Sequence, residues 1–224
     1  MYVPSAFKVH PALALAFAGA RGFGLVIACD GGRPVASQVP FLVVEADGKV
    51  PRAVFHVARG NPLAALAQKC APWLIAVQGA DAYVSADWYA NRDQVPTWLY
   101  ETVQLGGPVH VLPAEHTRDH LDALTARFEQ PLSPKQPWTS AKLAPERLAT
   151  LMNAIVVIEM QVETVEASFK LNQHKSDADN IAVATALAGQ GESDAKAIAA
   201  RMVALRPHLL YEKHGQPAAP VEGM

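Results

Sequence analysis

The chain has 224 residues, half of them hydrophobic, with a net charge of −2 and a pI near 6.4. That length holds one large domain, or one domain with an appendage. The slightly acidic balance gives no global footprint for nucleic acid and leaves only a local basic patch to serve such a partner. Cys29 and Cys70 make neither a disulfide framework nor a metal-binding spacing, and their apolar surroundings predict buried free thiols in a reducing cytoplasm.

From Pro11, the stretch PALALAFAGARG has the look of a secretory h-region, but its apolar run is too short to span a membrane. Leu13, Leu15 and Phe17 suit one face of a helix, so a first helix of the mature fold is expected here, with no membrane partner. β-like runs follow. Gly24 to Ala28 is the first, the Asp30-Gly31-Gly32-Arg33-Pro34 signal turns the chain, and Val35 to Val44 is the second, with Pro40 marking a bulge or an edge. Ala46-Asp47-Gly48-Lys49 turns the chain again, and Arg52 to Ala58 alternates as a strand.

Residues 62–70 read as a short helix. Trp73 to Val77 and Ala82 to Ser85 read as two further strands, and Val95 to Leu105 as a long one ending at Gly106-Gly107-Pro108, before a short run from Val109 to Leu112. Helical spacing returns over 115–129, then a proline-rich passage and a short helix near 146–152. Ala154 to Phe169 reads as one half-buried antiparallel strand, with Ile158, Met160 and Val162 alternating with Glu159, Gln161 and Glu163. Asp177 to Ala188 and Ser193 to Arg206 are two helices joined by Gly189-Gln190-Gly191, and residues 215–224 read as disordered. The predicted class is therefore α+β and mainly β: an antiparallel barrel with peripheral helices and a C-terminal helical hairpin.

Three places carry candidate chemistry. In HVARGNP, residues 56–62, Asn61 is a good N-cap and Pro62 a favoured first helical residue, so a helix starts at a strand end and its N-terminus attracts an anion. Arg59 precedes that start and can fork onto a phosphate, with His56 on the same strand end. The other reading is an ordinary capped helix with a surface arginine. In DAYVSADWYANRDQVPTWLY, residues 81–100, Trp98, Tyr100 and Thr102 share one strand face and Thr97, Leu99 and Val103 the other, with Trp88 and Tyr89 in the preceding connection. Such a set either packs against itself or holds a flat ligand. The polar loop FKLNQHKSD, residues 169–177, is the third, and a solvated loop capped by Ser176 or Asp177 is its plain alternative. His116 and His120, four apart on one helix, lack a third metal ligand, and the terminal hairpin offers few base-reading residues beyond Lys196, Arg201 and Arg206.

Taken in order, Met1-Tyr2-Val3-Pro4, Val39-Pro40-Phe41-Leu42, His56 to Pro62, Ala82-Tyr83-Val84-Ser85 with Trp88-Tyr89, Val95-Pro96-Thr97-Trp98 with Tyr100, and Lys170-Leu171 with Gln173 resemble the PaiB family, from Met1 to about Leu187. That family is described as FMN-binding, split-barrel, negative transcriptional regulators. The resemblance implies an antiparallel split barrel that dimerises, with FMN in a groove at the dimer interface and, for a regulator, DNA as a partner; with the residue pattern, the expected bounds are 1–175 for the barrel, 176–214 for the helical hairpin packed on it and 215–224 for the disordered tail, in a cytoplasmic protein. It also implies a flavin site drawn from His56, Arg59, Asn61, Ser85, Trp88, Thr97, Trp98, Lys170 and Gln173. Against the family pattern, Gln38 replaces histidine, Leu99 replaces asparagine, and Asn172-Gln173-His174 replaces Ser-Gln-Asn. These departures keep other readings open: an FMN-dependent oxidoreductase of the flavin-reductase or pyridoxamine-phosphate-oxidase kind, a haem binder using His174 or His56, or a barrel without cofactor.

Overall fold

The computed structural model describes residues 1–45 and 49–211. The predicted Ala46–Lys49 turn (all but Lys49) and the tail over 215–224 lie outside the described residues. The chain forms two compact units. The first comprises Met1, Val9–Gln78 and Val103–Ala167; the second comprises Tyr2–Lys8, Gly79–Thr102 and the chain from Ser168 onward. Seven strands lie in the order β4-β1-β2-β3-β6-β5-β7, and an additional β4–β5 pairing closes six of them into a ring. The fold is the α+β split barrel expected from the sequence.

In the first unit, α1 (Pro11–Arg21) starts where His10 Nδ1 accepts from Ala12 N and ends where Gly22 adopts a left-handed φ of 58°. Arg127 adds a cap there by donating to the Ala20 carbonyl at 3.0 Å. β1 (Phe23–Asp30) and β2 (Arg33–Val44) form a hairpin across Gly31 and Gly32, both at positive φ and both in open space. Pro40 is the last β2 residue paired with β1; from Phe41 the strand pairs with β3 (Arg52–Ala58) instead. A residue without an N–H thus sits where the strand changes partner, as its chemistry allows.

The hairpin is followed by α2 (Pro62–Leu66) and β4 (Pro72–Val84). The two strands expected at 73–77 and 82–85 are one strand, because Gly79-Ala80-Asp81 continues extended rather than turning. β5 (Thr97–Val111) likewise runs straight through Gly106-Gly107, where the sequence predicts an end. A Cβ on Gly107 would lie 1.7 Å from the Gln161 carbonyl oxygen, and one on Gly106 would lie 2.5 Å from Thr164 Oγ1. These glycines exist for close approach, not for a turn.

α3 (His116–Glu129), α4 (Pro145–Asn153), β6 (Ile155–Gln161) and β7 (Thr164–Lys170) follow. The single strand expected over 154–169 is therefore broken at Val162-Glu163. Val162 N donates to the Pro51 carbonyl and Glu163 N to the Gly106 carbonyl, so distant partners hold the break. The core of this unit holds Phe41, Phe55, Leu63, Ile75, Leu105 and Ile158. Both cysteines are exposed, which corrects the expectation of buried thiols: Cys29 falls near the free end of β1 and Cys70 in a left-handed connection.

In the second unit, α5 (Asp177–Ala188) begins at a Ser176 cap, where Ser176 Oγ accepts from Asp179 N, and packs against α6 (Ser193–Leu205). Val183, Leu187, Ile198 and Met202 bury the seam of the predicted helical hairpin. Glu101, 4% exposed, is satisfied by Arg201 Nε at 2.8 Å.

Candidate functional site

In the first unit the structure groups three of the predicted residues at the β3–α2 junction. Asn61 acts as the N-cap: its Oδ1 accepts from Leu63 N at 2.9 Å and its Nδ2 donates to Ser37 Oγ at 3.0 Å. Pro62 has no N–H and Ala64 N already donates to the Asn61 carbonyl, so the first turn of α2 largely satisfies itself. What remains for an anion is Arg59. Its Nε donates to the Asn153 carbonyl at 2.9 Å and its Nη2 to the Ile155 carbonyl at 3.0 Å, which pins the guanidinium while Nη1 makes no hydrogen bond among the described residues. Arg59 lines a cavity of about 230 Å³ with Leu112, Thr117, Met152, Asn153 and Ile155. That volume is below the roughly 300–1,000 Å³ that encloses a drug-sized ligand, so it suits one small group rather than a ring system.

His56 turns to a different partner. Its Nδ1 lies 3.0 Å from His120 Nε2, with the rings edge to face at a centroid distance of 5.2 Å. Burial lowers the pKa of His56; burial, then the neighbouring His56, lower that of His120 to about 4. Both rings are neutral at pH 7, so one donates and one accepts. His120 Nδ1 is buried without a partner among the described residues. A proton there would leave a buried donor unsatisfied, which costs more than an idle lone pair. The favoured arrangement has His120 Nε2–H donating to His56 Nδ1, with the His56 proton on Nε2. His120, noted in the sequence four residues from His116, thus faces His56, and among the described residues no group of three or more histidine, cysteine or carboxylate side chains is placed to hold a metal ion.

In the second unit, the alternation read from the sequence holds along β5. Leu99 is fully buried while Trp98 is 54% exposed. Leu99 therefore departs from the family pattern inside the core, not on the exposed face. Trp98 meets Tyr83 edge to face at 5.9 Å, and Tyr83 is itself exposed. Trp98 and Tyr83 together form an exposed aromatic surface of the kind that takes a stacking partner. Trp88 lies half-buried in a 3-10 turn capped by Ser85, whose Oγ accepts from Asp87 N. Tyr89 is buried and donates to Asn172 Oδ1 at 3.4 Å.

The 169–177 loop is more ordered than a solvated loop. Gln173 spends its amide on its own turn, accepting from Leu171 N at 2.7 Å and donating to the Phe169 carbonyl at 2.5 Å. Lys170 Nζ donates to Thr97 Oγ1, and Lys175 Nζ donates to Gln94 Oε1 while lying 5.2 Å over the Tyr89 ring. His174 rests edge to face on Phe7, 5.2 Å between centroids.

The family model described as "Putative FMN-binding domain" matches residues 1–164. The chain belongs to this FMN-binding domain family. It is 30% identical over 203 residues to the Bacillus subtilis protein named protease synthase and sporulation protein PAI 2, covering 90% of this chain and 96% of that one. The PaiB resemblance read from the motifs therefore holds. In fold, the chain is similar to an FAD and heme binding protein from Mycobacterium smegmatis, at TM-score 0.51 and 20% identity over 72% of this chain and 71% of that one. It is also similar to a conserved hypothetical protein from Mycobacterium tuberculosis, at TM-score 0.56 and 11% identity over 79% and 94%.

The residues present fit an FMN-type ligand in two respects. A pinned arginine with an open N–H edge suits a phosphate, and an exposed indole suits an isoalloxazine face. Gln173 fits less well, since its amide closes its own turn. Sequence reading missed Tyr83 as a partner of Trp98, although the two lie in one aromatic-rich stretch. It also missed the His56–His120 pair, for which a separation of 64 residues leaves no local signal.

Proposed function

We propose that the chain binds FMN, works as a homodimer, and represses transcription in the manner of PaiB-type regulators. The observation that carries the reading is the 30% identity to the PAI 2 protein across nine-tenths of this chain, joined to membership of the FMN-binding domain family. In the first unit Arg59 takes the ribityl phosphate through its open Nη1, and Asn61 fixes the backbone beside it. The second unit, taken by itself, has an exposed aromatic surface of Trp98 and Tyr83, with Trp88 in the turn that precedes the strand. Thr97, Ser85 and Lys170 offer polar atoms to the ring's edge. His56, on the same strand, is a ring paired with His120. When bound, FMN supplies reversible one- and two-electron redox chemistry, and the chain positions it.

The test is a titration of the purified chain with FMN and with riboflavin. Arg59→Ala weakens FMN by roughly tenfold or more and riboflavin little, as expected for the loss of a charge-assisted contact. Equal losses for both ligands refute the phosphate role. Light scattering tests the dimer, and a mobility shift on the gene's own upstream DNA tests the regulatory output. A monomer that ignores that DNA ends the regulator reading while leaving flavin binding standing.

No helix among the described residues is long and apolar enough to cross a membrane.

A further inference from the structure

A second cavity of the first unit lies between α3, the 3-10 turn Ser140–Lys142 and α4. Its volume of about 460 Å³ falls within the roughly 300–1,000 Å³ that receives a small organic molecule. Pro145, Leu148, Ala149 and Met152 recur at i, i+3, i+4 and i+7 along α4, so one stripe of that helix lines the cavity. Leu143 extends the apolar wall. Arg118, from α3, is the one charged residue lining it among the described residues.

Arg118 is held in place from outside the cavity. Its Nε donates to Asp122 Oδ2 at 2.7 Å, and Asp122 Oδ1 accepts from the buried Ser140 Oγ at 2.5 Å. The hydrogen bond from Ser140, then that from Arg118, hold the Asp122 carboxyl below its usual pKa, so this brace between α3 and the 140–142 turn is ionised at neutral pH. Asp122 does not line the cavity, and both its oxygens are engaged. The Arg118 side chain is 43% exposed, and neither of its Nη groups has a hydrogen-bond partner among the described residues. A fixed guanidinium with a free donor edge, beside apolar walls, suits a molecule with a hydrocarbon body and an anionic end. One arginine, its charge partly offset by Asp122, matches a singly charged carboxylate better than a doubly charged phosphate.

The cavity is separate from the flavin residues: none of those named above lines it. It shares only Met152 and Asn153 with the cavity lined by Arg59.

We propose that the cleft between α3 and α4 binds a small apolar carboxylic acid, with its hydrocarbon body along Leu143, Leu148 and Met152 and its carboxylate on the Nη groups of Arg118. The site stands independently of the flavin reading and adds a second ligand to it.

The test follows the Met152 methyl resonance by NMR in the full chain, with the fully buried Met160 as internal reference. The chain is titrated with octanoate and, separately, with 1-octanol, each with and without saturating FMN. The proposal expects a saturable Met152 shift with octanoate that FMN does not displace. Binding is about tenfold or more weaker for 1-octanol, and for octanoate in Arg118→Gln. Ala149→Trp fills the cavity from an exposed position and abolishes the shift while the melting temperature holds, and Arg59→Ala leaves the shift intact. No saturable shift at Met152, or one that persists in Ala149→Trp, overturns the site. Octanol binding as tightly as octanoate, or Arg118→Gln binding as tightly as the parent chain, overturns the carboxylate assignment. Octanoate that is displaced by FMN, or lost in Arg59→Ala, overturns the separate site and gives the ligand to the arginine of the flavin phosphate. A chain that ignores FMN yet shows the Met152 shift refutes the flavin reading alone and supports this site.

Discussion

The His56–His120 pair in the first unit and the Lys170–Lys175 turn in the second are both knots of nitrogen-bearing side chains, balanced in opposite ways. The histidines answer one another: one donates, one accepts, and burial keeps both neutral. The lysines donate to neutral oxygens in a turn whose buried amide Nδ2 has no acceptor among the described residues. A polar group closed on itself builds structure. A polar group left open, on a rigid frame, points to something that binds.

The contrast is broken most severely by adding charge to the closed knot. His120→Lys, at a position 6% exposed, places a cation where no carboxylate waits, and a loss of about 3 kcal/mol or more is expected in chemical denaturation. Acid makes the same point with the native chain. Below the ordinary 6.5, the unfolded chain takes up protons that the folded histidines refuse. The stability from their neutral burial is therefore complete above 6.5 and drains away as pH falls toward about 4. The loss on this account is on the order of 2–3 kcal/mol, read as urea midpoints across that range. His120→Gln flattens the dependence; an unchanged slope in that variant contradicts the assignment.

The open regions respond differently. Trp98→Ala leaves folding within about 0.5 kcal/mol, since the side chain is half in solvent, but weakens flavin binding by roughly tenfold. Calorimetry on the variant separates the two quantities. Smallest of all, Lys170→Met in ligand-free, low-salt buffer raises the melting temperature slightly or leaves it unchanged, because it removes an uncompensated charge. A clear drop there would mean that the lysine is structural after all.

How much of this was legible in the sequence depended on whether the partner was local. The two glycine pairs make the case. Gly31-Gly32 was read correctly as a turn, because the reason for glycine there is the backbone itself, at positive φ. Gly106-Gly107 carries the same letters and was misread as a strand end, because its reason is the Gln161 carbonyl and Thr164 hydroxyl passing against it. The β6–β7 break was hidden for the same cause: hydrophobic alternation continues through Val162, while Pro51 and Gly106 hold the turn. The place of the first helix was legible, since the proline at its start and the left-handed Gly22 at its end are local signals, but its buried face was not: Leu13, expected there with Leu15, is exposed, and Ala14 and Ala18 are buried instead. Within the candidate site, the outward Trp98 and inward Leu99 followed from strand alternation. That Arg59 is pinned by two carbonyls nearly a hundred residues away did not, and neither did the commitment of Gln173 to its own turn.

The central claim, that this chain carries a flavin, is tested most directly by the visible absorption spectrum of the purified protein, before and after incubation with FMN and removal of the excess. The account predicts flavin bands that remain with the protein through gel filtration and that diminish in Arg59→Ala. A Soret band in their place, or a colourless protein that FMN neither tints nor stabilises against heat, would contradict it.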